Sequence, residues 1–191
     1  MDADWSVELG ADDPALEFPW SSPDGSRYFV DLQQRTEHLS AIPEAAAYPE
    51  LGVFLSEVNR ARSPWLTAKC DVWMDDELGE AEAIYEARLK FCSYVDLVAR
   101  DVDARYSFEH HEAWVKCATR ALSSDEEDQT TCEFIVRRCW YHSDSHPDDE
   151  PEPGFYITLY VFGYGSDEAQ ARAMWSGGLT RVSFVIALLR A

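Results

Sequence analysis

The stretch Trp65-Leu66-Thr67-Ala68-Lys69-Cys70-Asp71-Val72-Trp73-Met74 decides how this chain is read. Leu66, Ala68, Cys70, Val72 and Met74 fall at every second position, and Trp65, Thr67, Lys69, Asp71 and Trp73 fall between them. A period of two belongs to a strand with two unlike faces. Leu89 to Val98 repeats it, with Leu89, Phe91, Val95 and Leu97 set against Lys90, Cys92, Tyr94 and Asp96. The acidic Asp75 to Glu82 lies between the two. Thr131 to Tyr141 and Phe155 to Tyr164 read as two more strands. The acidic, proline-containing segment from His142 to Gly154 joins them as a long hairpin.

Working outward, the period changes to that of helices. Pro49 suits the first turn of a helix over Glu50 to Ala61, whose Leu51, Phe54, Leu55 and Val58 share one face. Ser63-Pro64 ends it. Ser107 caps a helix running to Leu122, with a stripe of Phe108, His111, Val115, Ala118 and Leu122. Ser166 caps another that reaches Arg190, weakened around Gly177-Gly178. Residues 36–48 hold a short turn or helix interrupted by Pro43. Arg27 to Leu32 reads as a strand, and Ala104 to Tyr106 as a short one. The first 26 residues read as an extended arm. Its Trp5, Phe18 and Trp20 dock on the domain, and it turns at Ser22-Pro23-Asp24-Gly25.

The expectation is therefore a single α+β domain over residues 1–191. It has an antiparallel sheet with helices packed on one face, two βαββ modules in succession and a long C-terminal helix.

Composition narrows the function classes. Thirty-six acidic and 16 basic side chains give a formal net charge of -20. Such a surface repels phosphate backbones and anionic membranes, and attracts cations and basic proteins. No nucleic-acid or membrane partner is expected. The sequence from Met1 to Trp5 has neither a basic n-region nor an apolar core, so a cytoplasmic location is expected. The cysteines at 70, 92, 117, 132 and 139 are odd in number and lack C-x-x-C spacing, which points to reduced thiols rather than a disulfide or zinc framework.

The functional signal lies on the sheet face turned away from the helices. Alternation places Lys69, Asp71 and Trp73, then Lys90, Tyr94 and Asp96, then Arg137, Tyr156 and Tyr160 on that face. Trp65, Glu133, Tyr141, Thr158, Phe162 and Tyr164 join them. Aromatic rings give contact area at low entropic cost, and a few directed charges fix orientation. The reading is a non-enzymatic binding protein that holds a small molecule or a protein segment there, with no cofactor and no metal. The alternatives are an acidic inhibitor of a basic protein partner, or a hydrolytic enzyme using Asp71, Asp96 or a histidine as base beside Lys69 or Tyr94. A homodimer would be another way to bury the face.

Other constellations read more plainly. His142, Asp144, His146, Asp148 and Asp149 lie in one acidic hairpin tip, poorly preorganised for a metal. His110 and His111 lack a second His four residues on, so the zincin motif is missing, and one of them packs while the other faces solvent. Gly163-Tyr164-Gly165-Ser166 reads as a tight turn from strand to helix.

Overall fold

The computed structural model describes residues 1–33, 36–79, 82, 86–123, 129–143 and 150–189. Its strands are β1 (Asp2–Glu8), β2 (Ala15–Phe18), β3 (Trp65–Asp75), β4 (Leu89–Ala99), β5 (Thr130–Tyr141) and β6 (Glu152–Gly165). Its α-helices are α1 (Pro43–Ala47), α2 (Pro49–Val58), α3 (Val102–Arg105), α4 (Phe108–Leu122) and α5 (Glu168–Leu188), and a 3-10 turn covers Thr36–Ala41. The strands form one sheet in the order β1-β5-β6-β4-β3, with β2 also on β5.

The class is α+β, but the sheet is mixed rather than antiparallel throughout. The pairs β3–β4, β4–β6 and β5–β6 are antiparallel, whereas β1 and β2 both run parallel to β5. The segment expected to be a docked arm thus contributes two edge strands. Asp2 to Glu8 pairs with Thr131 to Arg137, and Ala15 to Phe18 with Arg138 to Tyr141.

The two βαββ modules do not form. Residues 27–32 contribute no strand to the sheet, and only an isolated bridge joins Ser21 to Tyr28. The backbone bonds there run within the arm instead, from Ser22 N to Arg27 O at 2.8 Å and from Phe29 N to Trp20 O at 2.8 Å. Residues 104–106 enter a helical turn instead, because the Asp101 carboxylate caps α3 by accepting from Ala104 N at 3.0 Å. The Ser22–Gly25 turn is present, with Gly25 at φ +69 and its N–H bonded to Ser22 O at 2.9 Å.

The helices cover one sheet face. Phe54 and Leu55 of α2, Trp114 and Val115 of α4, and Trp175, Leu179 and Val182 of α5 share a single apolar cluster with Phe91, Phe134, Ile157 and Leu159 of the sheet. Helix α4 spans the expected residues, with Ser107 Oγ accepting from His110 N at 3.1 Å. Helix α5 runs unbroken through Gly177 and Gly178, capped by Asp167 rather than Ser166. It lies close against β6. A Cβ on Gly163 would stand 2.1 Å from Trp175 N, and one on Gly178 would stand 2.6 Å from Thr130 Cγ2. Trp175 closes the contact by donating Nε1–H to Ser93 Oγ at 2.8 Å.

No helix among the described residues is long and apolar enough to cross a membrane. The five cysteines are free thiols.

A half-covered aromatic sheet face as the candidate functional site

Strand β3 changes face part-way along. Thr67 pairs with Leu97 but Cys70 pairs with Val95, so three steps on β3 match two on β4. This bulge inverts the alternation. Before it, Trp65 and Thr67 point toward the helices. After it, Cys70 and Val72 do so, while Asp71 and Trp73 turn to the other face. The expectation that Trp65 lies outward is thereby corrected. Its ring is fully buried, 4.9 Å from Trp114 and 5.5 Å from His111 between ring centres. Leu66 and Ala68, expected under the helices, lie instead on the opposite face in a second apolar cluster.

That second cluster divides the face. Leu16 and Phe18 of β2 join Val98, Cys139, Tyr141 and Tyr156 on this face, and Trp20 and Phe29 of the following segment pack against them and cover one half. Trp20 pins the covering segment by donating Nε1–H to Ala68 O at 2.8 Å, and the Lys69 ammonium lies 5.0 Å from its ring centre. The other half carries no comparable cover among the described residues. There Trp73, Tyr94, Tyr160 and Phe162 are half-buried neighbours. Ring centres are 6.5 Å apart for Trp73–Tyr94 and Trp73–Tyr160, and 6.0 Å for Tyr94–Tyr160. Phe162 stacks on Tyr160 at 6.0 Å with the planes 1° apart.

Strand registry explains why they meet. Asp71, Tyr94, Tyr160, Glu133 and Asp4 form one row across five strands. Trp73, Cys92, Phe162, Thr131 and Asp2 form the next. Asp75, Lys90 and Tyr164 form a third, where Glu82 reaches in. The Glu82 carboxylate accepts from Lys90 Nζ at 2.9 Å and from the Tyr164 hydroxyl at 2.8 Å. Burial favours its neutral form, but donors from Gly79 N–H, Lys90 and Tyr164 outweigh that and hold its pKa below the ordinary glutamate value.

Between the two halves runs a buried polar chain. Arg137, 8% exposed, donates Nε–H to Glu8 Oε2 at 2.8 Å and Nη1–H to Thr158 Oγ1 at 3.0 Å. Thr158 donates in turn to Asp96 Oδ1 at 2.8 Å. Burial pushes the Asp96 carboxyl up to about 6, against the Thr158 hydrogen bond and the charges of Lys69 and Arg137. Burial likewise raises the Tyr94 hydroxyl well above the ordinary tyrosine value, aided by Asp96 and Asp71.

All nine residues singled out from the sequence lie on this side of the sheet, or in the β3 bulge in the case of Lys69. They divide by access. Asp71 is exposed, and Lys69, Trp73, Lys90, Tyr94 and Tyr160 are partly exposed. Asp96 at 5%, Arg137 at 8% and Tyr156 at 3% lie beneath the surface, where a ligand on the open half would not touch them.

Sequence reading missed a cavity of about 610 Å³ beside this face, between β3 and the segment that wraps its edge. Tyr94, Lys69, Asp71, Arg27, Tyr28 and Glu44 supply its polar lining, with Val30, Leu32 and Leu55 among the apolar walls. Residues far apart in sequence build it, and no local pattern announces it. Cys70 also lines it, but burial lifts that thiol to about 12, so it is a neutral wall rather than a nucleophile.

The histidines separate as the helical stripe requires. His111 is buried and His110 partly exposed. Of the acidic hairpin tip, Asp144, His146, Asp148 and Asp149 lie outside the described residues, and His142 pairs with Glu17. Among the described residues no three His, Cys, Asp or Glu side chains gather closely enough to hold a metal ion.

No protein-family model, curated protein or solved structure matches this chain.

Proposed function

We propose that the chain is a non-enzymatic binding protein whose ligand rests on the open half of the sheet face. One observation carries this reading: Trp73, Tyr94, Tyr160 and Phe162 converge from three strands into a half-exposed aromatic floor. Leaving four large rings in partial contact with water sacrifices burial that a closed core would gain, roughly 25 cal/mol for each Å² left wet. The covered half of the same sheet shows how the chain buries such a face when nothing else must sit there. Clustered aromatics on rigid strands are the usual energetic centre of a binding surface.

The hydrolytic alternative finds less support. Of the candidate carboxylates, Asp96 is buried on Thr158 and Asp71 takes the N–H of Val72 on Oδ1 at 2.8 Å, which leaves Asp71 Oδ2 as the accessible carboxylate oxygen beside Lys69 and Tyr94.

The test is intrinsic fluorescence and thermal shift against a chemically broad set of small molecules and short peptides. Wild type is compared with Tyr94→Ala and Tyr160→Ala. A ligand that raises Tm in wild type, with affinity reduced tenfold or more in both variants, is the expected outcome. Absence of any ligand sensitive to these two rings would remove the reading.

A further inference from the structure

We infer that the occupant of this face is a basic protein segment laid across the strands, with two cationic side chains about four residues apart. The inference rests on the binding role above and assigns its partner. The residue types alone suggested the opposite sign, since Lys69, Lys90 and Arg137 fall on or beside this face and look suited to an anion. The structure shows each of them engaged. Arg137 is bonded to Glu8 and Thr158. Lys90 lies 2.9 Å from Glu82 and 3.6 Å from Asp75. Lys69 stacks over Trp20.

The carboxylates in the central row are differently placed. Among the described residues, Asp71, Glu133 and Asp4 form no ion pair. They accept hydrogen bonds from Val72 N–H in the case of Asp71, the Ser6 hydroxyl for Glu133 and Trp5 N–H for Asp4. Two tyrosines stand between them. The row therefore reads acid, ring, ring, acid, acid across β3, β4, β6, β5 and β1.

Geometry sets the length of the partner. Asp71 and Glu133 are three strand spacings apart, about 14 Å, which an extended segment covers in roughly four residues. Lysine or arginine stems would lie on the Tyr94 and Tyr160 rings, with their charged ends over the flanking carboxylates. The face is open rather than enclosed, which suits a chain segment better than a small molecule that needs most of its surface buried. A net charge of -20 draws such a partner in and makes the encounter salt-sensitive.

The experiment pans a random octapeptide display library on the full chain, then measures the enriched peptides by titration. Expected are peptides with two Lys or Arg residues about four positions apart. Their affinity should fall at least tenfold in an Asp71→Asn/Glu133→Gln double variant, and should fall between 50 and 300 mM salt. Circular dichroism checks that the double variant keeps its fold. Enrichment of acidic or neutral peptides, no enrichment, or unchanged affinity in the double variant overturns the inference. Neutral ligands that depend on Tyr94 and Tyr160 but not on the carboxylates would leave the binding role standing and remove only the basic partner.

Discussion

Thr158 donates its hydroxyl proton to Asp96 Oδ1 at 2.8 Å while accepting from Arg137 at 3.0 Å, so one threonine links a buried acid to a buried base. The link is incomplete compensation. The carboxyl still sits at about 6, above its ordinary 3.8, because burial outweighs the hydrogen bond and the neighbouring charges.

A folded-state pKa above the unfolded one means that the native protein holds the proton more tightly. The contribution of Asp96 to stability is then fully present below about pH 3.8 and is lost as pH rises through about 6. Asp96→Asn keeps an oxygen for Thr158 and removes the buried charge. At pH 8 this variant should be more stable than wild type by about 3 kcal/mol, with the gain vanishing near pH 4. Urea denaturation across that range measures it.

His111 works in the opposite direction. Burial lowers its pKa from 6.5 to about 4, although one ring nitrogen bonds to Ser107 O at 2.8 Å. Its contribution is present above pH 6.5 and is lost as pH falls toward 4, because only the unfolded chain takes up the proton easily. In an Asp96→Asn background, which removes the competing slope, stability should fall by about 3 kcal/mol between pH 7 and pH 4. A His111→Leu change should flatten that fall, although it also costs the bond to Ser107.

Gly163 is where α5 touches the sheet. A methyl group there would press on Trp175 N and Ala171 O, both backbone atoms that cannot turn aside. Gly163→Ala should cost at least ~3 kcal/mol and lower Tm sharply. Gly177→Ala meets nothing within 4 Å and lies in the helix, so it should stabilise by up to ~1 kcal/mol. A thermal scan of the pair separates packing from propensity.

Trp20 anchors the segment that covers half the face. Trp20→Phe removes the bond to Ala68 O but keeps an aromatic surface for Lys69. The loss should be about 1 kcal/mol globally. Amide exchange should rise chiefly over residues 16–30, with β4 and β6 unchanged.

Strands β3 and β4 and helices α2 and α4 were legible because each carries a period of two or of 3.6. Three features were hidden for physical reasons. The β3 bulge preserves alternation on either side of itself, so the inversion at Lys69 leaves no trace in a hydrophobicity pattern. Strand β1 does alternate, with Ala3, Trp5 and Val7 against Asp2, Asp4, Ser6 and Glu8, but its acids gave it the look of a solvated arm. Residues 27–32 carry strand-like side chains, yet their backbone partners lie in residues 20–22, and only tertiary structure reveals that. The convergence of Trp73, Tyr94 and Tyr160 followed from alternation alone. The burial of Asp96, Arg137 and Tyr156 did not, because it depends on partners far apart in sequence, Glu8 and Thr158 for the charged pair and the Leu16–Phe18 cluster for Tyr156.

Parallel pairing of β1 with β5 also imposes an order on assembly. Asp2 meets Thr131, so this edge joins residues 129 positions apart. During translation β3 and β4 can zip together early, whereas the first strand has no neighbour until the ribosome has passed Tyr141. Closing so wide a loop is slow, and a lone strand waiting with unsatisfied N–H and C=O groups invites mispairing. The three acids among its seven residues give it charge repulsion as protection during that wait.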